Sequence, residues 1–206
     1  THLMTGVVLV TIAAFLILEG NLLFATLVAE ATALHFISYQ LSERLLRIPA
    51  HLLYGLLGLW LAVRLLDAGH QPPLVNMQAV SDLILIGCGI LSVRFLGIGK
   101  FQIIYRLMAH AAVLAWIWRE LALFVDGMAY ITIAWGLYAV GLLLAGFRQQ
   151  SSLLQRTGMA TILLTVGKLF LVDLSELNPV WRILLFLGFG GGFLAVSYFL
   201  RKWWGS

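Results

Sequence analysis

The chain has 206 residues, of which 62% are hydrophobic and 11% charged, with a net charge of +4 and a single cysteine. Soluble domains carry roughly 25% charged residues, so a soluble protein is excluded. The basic residues form no long run, which excludes a nucleic-acid footprint, and a lone cysteine excludes an intramolecular disulfide. Apolar runs separated by short polar turns fill the chain, and a helical span takes about 20 apolar residues. The expected fold is all-α, a polytopic transmembrane bundle of about eight helices forming one domain over 1–206.

The first run, Thr5 to Leu18, is short for a span and ends at Glu19-Gly20-Asn21. With a chain that opens Thr-His-Leu-Met, it points to the C-terminal part of a longer protein. The second run covers Leu22 to Tyr39 with Glu30 in its middle, and Ser42-Glu43-Arg44 ends it. The third opens at Arg47-Ile48-Pro49, where a first-turn proline costs no hydrogen bond, and stops at Asp67. Asp67 to Ser81, with Gly69, Pro72 and Pro73, is the longest connection. The remaining runs are Asp82–Leu96, Ile103–Phe124, Met128–Phe147, Thr157–Val172, and an eighth that follows Asn178-Pro179 and ends at Leu200. A polar loop is expected over Arg148 to Gln155, and Cys88 is read as a small buried apolar residue.

Basic residues set orientation. With alternating helices, one side holds Arg44, Arg47, Arg94, Lys100, Arg106, Arg148, Arg156, Arg201 and Lys202. The other holds Arg64, Arg119, Lys168 and Arg182. The first side is expected to be cytoplasmic, with both termini there, in a bacterial inner membrane. Most acids, Asp82, Glu120, Asp126 and Asp173 among them, fall on the opposite side.

Ionisable groups inside a membrane are candidate functional groups. Glu30 lies too deep in its run for its short side chain to reach water, which suits a proton or cation site or a carboxyl joining two helices. Lys168 can snorkel outward or pair with Asp173 or Glu176. Arg119, Glu120, Asp126, Asp173, Glu176 and Arg182 are expected near the outer end, as a solvated ion-pair rim or an outward-facing cluster. These make Glu30, Lys168, Arg119, Asp126, Asp173 and Arg182 the substrate- or ion-binding candidates. Gly188 and Gly192, four apart, offer a face for close helix approach. His35, His51 and His110 lie near the basic side without an HxxxH spacing, so interhelical hydrogen bonding is expected and no metal site or cofactor. No catalytic constellation is legible.

The last 60 residues carry a resemblance. Gly136-Leu137-Tyr138-Ala139, Gly141-Leu142-Leu143-Leu144, Arg156-Thr157-Gly158, Lys168-Leu169-Phe170-Leu171-Val172-Asp173-Leu174, Trp181-Arg182-Ile183-Leu184 and Phe186-Leu187-Gly188 together resemble the C-terminal end of the DUF2339 family. Leu27-Val28-Ala29-Glu30-Ala31 is similar to an earlier element of that family. The Lys168–Leu174 run is the most specific piece. The resemblance implies a bacterial membrane protein whose relatives are longer, with more helices and often an N-terminal coiled coil. It implies no particular activity.

The expected function is binding or transport of a small solute, ion or lipid, without enzymatic activity. A scaffold subunit of an envelope assembly is the alternative, and an intramembrane enzyme acting on a lipid-linked substrate comes third. The expected partners are membrane lipids and either further copies of the chain or an envelope protein, with no nucleic acid.

Overall fold

A computed structural model describes residues 2–67, 72–96, 99–173, 183, 187 and 191. Seven α-helices occupy the described residues: α1 (His2–Ile17), α2 (Gly20–Gln40), α3 (Arg47–Leu66), α4 (Met77–Ser92), α5 (Lys100–Leu121), α6 (Gly127–Arg148) and α7 (Ser152–Lys168). A π-helical turn over Leu169–Asp173 follows α7, and no strand occurs among the described residues. The eighth expected run, with Arg182, Gly188 and Gly192, lies outside them. In hydrocarbon each backbone N–H and C=O must be satisfied within the protein, so apolar runs of this kind resolve as helices. Four of them, α2, α3, α5 and α6, are long and apolar enough to cross a membrane.

Two helices, α4 and α7, start well before the expected residue, each behind a capping side chain. Asn76 Oδ1 accepts from the amide of Ala79 at 2.6 Å, which starts α4 at Met77 and places Asp82 a turn and a half inside the helix. Ser151 Oγ accepts from the amide of Leu154 at 3.5 Å, so α7 takes in the second half of the segment expected as a loop. Both are N-cap arrangements. At the head of α2, Gly20 adopts a φ of 56°, a region in which glycine carries no side-chain clash.

The chain divides into two compact units, Thr1–Ile131 and Thr132–Ser206. In the first, α2 is the central helix and packs chiefly on α3 and α4. Phe24, Leu27, Val28 and Ala31 of α2 meet Leu57 and Leu61 of α3, Leu85 and Ile86 of α4 and Ala109 of α5 in one buried cluster. Leu16, Leu66 and Met77, by contrast, are largely exposed, as suits side chains facing lipid. In the second unit, small residues let α6 and the start of α7 lie against each other. A Cβ on Gly146 would stand 2.8 Å from the backbone nitrogen of Gln155, and one on Gly158 2.9 Å from Leu143 Cγ. Close approach through glycine is a recurrent way to join helices where lipid offers no hydrophobic gain. A Gly158→Leu substitution should therefore cost about 1–3 kcal/mol through overpacking, read as a lowered unfolding midpoint in detergent.

Candidate functional site

The largest polar assembly of the first unit is a buried charge network contributed by α3, α4 and α5. Asp82 of α4 is fully buried. Its Oδ2 accepts from Arg119 Nη1 at 2.7 Å, and its Oδ1 stands 2.9 Å from Arg64 Nε. The second contact is an ion pair too bent to rank as a hydrogen bond. Arg119 also meets Glu120 Oε1 through Nε at 2.8 Å and Nη2 at 2.6 Å. Two arginines and two carboxylates make the set neutral, which is what permits burial, since an unpaired charge in such surroundings costs several kcal/mol.

The network extends to the backbone and to α2. Arg64 Nη2 donates to Asn21 Oδ1 at 2.9 Å, to Ser81 Oγ at 2.8 Å and to the carbonyl of Gln78 at 3.2 Å. Its guanidinium lies 4.4 Å from the ring centroid of Phe24, a cation–π distance. Glu120 Oε2 accepts from the amide of Leu74 at 2.7 Å. That amide belongs to a residue with a φ of 67°, a conformation costing about 1–3 kcal/mol for a side chain of this kind. The carboxylate thus holds the α3–α4 connection in place.

Glu30 stands elsewhere. It is the eleventh of the 21 residues of α2, so about 15 Å of helix lies on either side of it. Its Oε1 accepts from Thr11 Oγ1 of α1 at 2.6 Å. Its Oε2 is buried and has no hydrogen-bond partner among the described residues.

Nearer the ends of α2 and α4 that adjoin Arg47 and Lys100, a third assembly joins four helices. Tyr105 Oη of α5 lies 3.1 Å from His35 Nε2 of α2 and 2.9 Å from His51 Nδ1 of α3. Tyr54 Oη of α3 lies 2.6 Å from Thr32 Oγ1 of α2 and 3.0 Å from Ser92 Oγ of α4. The rings of His35 and Tyr54 stack with centroids 5.5 Å apart. No trio of His, Cys, Asp or Glu side chains poised for a metal ion occurs among the described residues.

In the second unit, Lys168 Nζ donates to Asp173 Oδ1 and to Thr132 Oγ1, both at 2.6 Å. Thr132 in turn donates to Asp173 Oδ2. Five residues along an α-helix would put Lys168 and Asp173 about 140° apart. The π-turn over Leu169–Asp173 closes that gap, because its i→i+5 repeat brings the two onto one side. Preceding Lys168 are Thr157, Thr161 and Thr165, each donating to the carbonyl four residues back at 2.7–2.8 Å.

The sequence candidates therefore separate. Arg119 enters the buried network with Glu120, and neither belongs to a solvated rim. Asp126 is exposed in the turn between α5 and α6. Lys168 and Asp173 pair with each other, Glu30 stands apart from the buried charge network of its own unit, and Arg182 lies outside the described residues. Asp82, Arg64, Asn21 and Tyr105 escaped the sequence reading as site residues. The missed signal for Asp82 was the cap at Asn76, which moves the acid from helix start to helix interior.

The profile of a family described as a predicted membrane protein matches residues 52–203. The chain belongs to the DUF2339 family. The match reaches well upstream of the region that carried the resemblance. It takes in Arg64, Asp82, Arg119, Glu120 and the Lys168–Asp173 turn, whereas Leu27–Ala31 with Glu30 precedes it. No curated protein and no solved structure matches the chain. DUF2339 membership fixes the protein as a membrane protein with several apolar helices and assigns no activity.

Removing one member of the charge network should strand its partners. Asp82→Asn is expected to cost about 3–5 kcal/mol, as breaking a buried pair does. Asp82→Leu combined with Arg119→Met should recover part of that loss. A double-mutant cycle on unfolding free energies in detergent checks both.

Proposed function

We propose that this DUF2339 protein binds or moves a small solute, ion or lipid within its helical bundle, with Glu30 as the principal contact. The observation that supports the reading is the buried, unpartnered Oε2 of Glu30 halfway along α2. A carboxyl oxygen in hydrocarbon needs a proton, a cation or a donor, and intramembrane carboxyls of this kind mark ion and substrate paths. Lys168 with Asp173, and Arg119, Asp126 and Arg182, are secondary candidates in the same reading. The side carrying Arg47, Lys100 and Arg148 faces the cytoplasm, with both termini there, in a bacterial inner membrane. Membrane lipids surround the bundle, and further copies of the chain or an envelope protein are its protein partners.

A scaffold role in an envelope assembly is the second reading. The Arg64–Asp82–Arg119–Glu120 network favours it, because these charges satisfy one another and so fix helix registry without any ligand.

Native mass spectrometry of the protein released from nanodiscs separates the two. Binding at Glu30 predicts a small molecule or lipid retained at fixed stoichiometry by the wild-type chain and lost from Glu30→Gln, with the unfolding midpoint little changed. An empty wild-type chain, together with a Glu30→Gln variant that is destabilised, would sink the binding reading in favour of the scaffold.

A further inference from the structure

Tyr105 Oη is placed between two imidazole nitrogens, 3.1 Å from His35 Nε2 and 2.9 Å from His51 Nδ1. A phenol carries one proton, so it can donate to one of these nitrogens and accept from the other. The two nitrogens are therefore in opposite states: one bears hydrogen and the other is bare. This coupling between α2, α5 and α3 follows from proton counting alone.

The neighbouring groups leave the bridge to these three residues. Thr32 Oγ1 donates to the carbonyl of Val28 at 2.7 Å, so Tyr54 gives its own proton to Thr32 and takes one from Ser92. Tyr54 is thereby committed, and it meets His35 only through ring stacking. Arg47 is the charged group that acts on both imidazoles, and its Nε is engaged with Ser38 Oγ at 3.1 Å. His35 is fully buried, whereas His51 is half-buried in the second turn of α3 and stacks on Phe101, which is exposed. One imidazole thus has access to the outside and the other does not, and the phenol connects them.

We propose that His51, Tyr105 and His35 form a proton relay into the bundle. In the receiving state His51 carries its hydrogen on Nδ1 and donates it to Tyr105 Oη. Tyr105 donates to the bare Nε2 of His35, whose own hydrogen sits on Nδ1. A proton from water binds His51 Nε2 and makes an imidazolium. The Nδ1 hydrogen of His51 then passes to Tyr105 Oη as the phenolic hydrogen passes to His35 Nε2. His51 ends neutral with hydrogen on Nε2, Tyr105 is again a phenol, and His35 is the imidazolium. One proton enters, one positive charge moves inward, and no other bond changes. The relay uses no atom of Glu30 and goes beyond the binding role proposed for that residue.

The test is an acid jump on the full chain in lipid bilayers, with light-triggered proton release and time-resolved infrared detection of labelled histidine. The His35 band is the one lost in His35→Asn. Tyr105→Phe keeps the ring packing against His35, His51 and Tyr54 and removes only the hydroxyl. The relay predicts that His35 gains its proton at least tenfold more slowly in Tyr105→Phe. A phenol that merely braced the helices would give the opposite sign, since its loss would loosen the site and admit water. An unchanged or faster rate in Tyr105→Phe, or a wild-type His35 that takes up no proton, overturns the proposal. Nitrogen-15 spectra give a second check: neutral His35 and His51 should share a tautomer, and opposite tautomers would also overturn it.

Discussion

Asp82 is the point on which the first unit depends. One fully buried carboxylate from α4 receives Arg64 of α3 and Arg119 of α5, and Arg64 reaches on to Asn21 of α2. Four helices are thereby tied at one level by groups that have no low-energy alternative partner in hydrocarbon. Apolar packing alone would not select this arrangement, because lipid tails satisfy a leucine as well as another helix does. Directional, charge-assisted contacts do select it. They also fix the rotation of α3, α4 and α5 about their axes, and so the positions of His51, Ser92 and Tyr105 further along the same helices.

α2 organises what remains. Its polar side chains occur at three heights: Asn21 beside the charge network, Glu30 halfway, and Thr32, His35 and Ser38 toward the opposite end. They do not face one neighbour. Glu30 turns to α1, while Thr32 and His35 turn to α3 and α5. A helix that must supply hydrogen-bonding groups in several directions cannot be amphipathic in the ordinary sense, which is why its apolar pattern marks no single buried face.

The fold class and the membrane setting were legible because the backbone's demand for internal hydrogen bonds leaves few solutions for such a chain. Glu30 was legible as an oddity from its depth alone, and the Lys168–Asp173 run stood out as a motif. The buried network was not legible, for two physical reasons. Arg119 and Glu120 are adjacent in sequence, and neighbours on a helix do not ordinarily face each other, so a shared buried site went unsuspected. Asp82 reads as a helix-terminal acid in the sequence, and the Asn76 cap sets the boundary five residues earlier. The π-turn was hidden as well, because Leu169-Phe170-Leu171-Val172 reads equally as a continued α-helix. Only the pairing that it permits reveals it.

Leu74 gives the network a visible outpost. Its side chain lies exposed and its backbone sits at a φ of 67°, yet its amide is held by Glu120 Oε2 at 2.7 Å. The hydrogen on that nitrogen is thus one bond removed from the most deeply buried charges of the unit. Its exchange with solvent is governed by the integrity of the carboxylate behind it and not by the loop in which it lies. Amide hydrogen exchange at this one surface position therefore reports on the ionic core of the bundle without any probe having to enter the membrane.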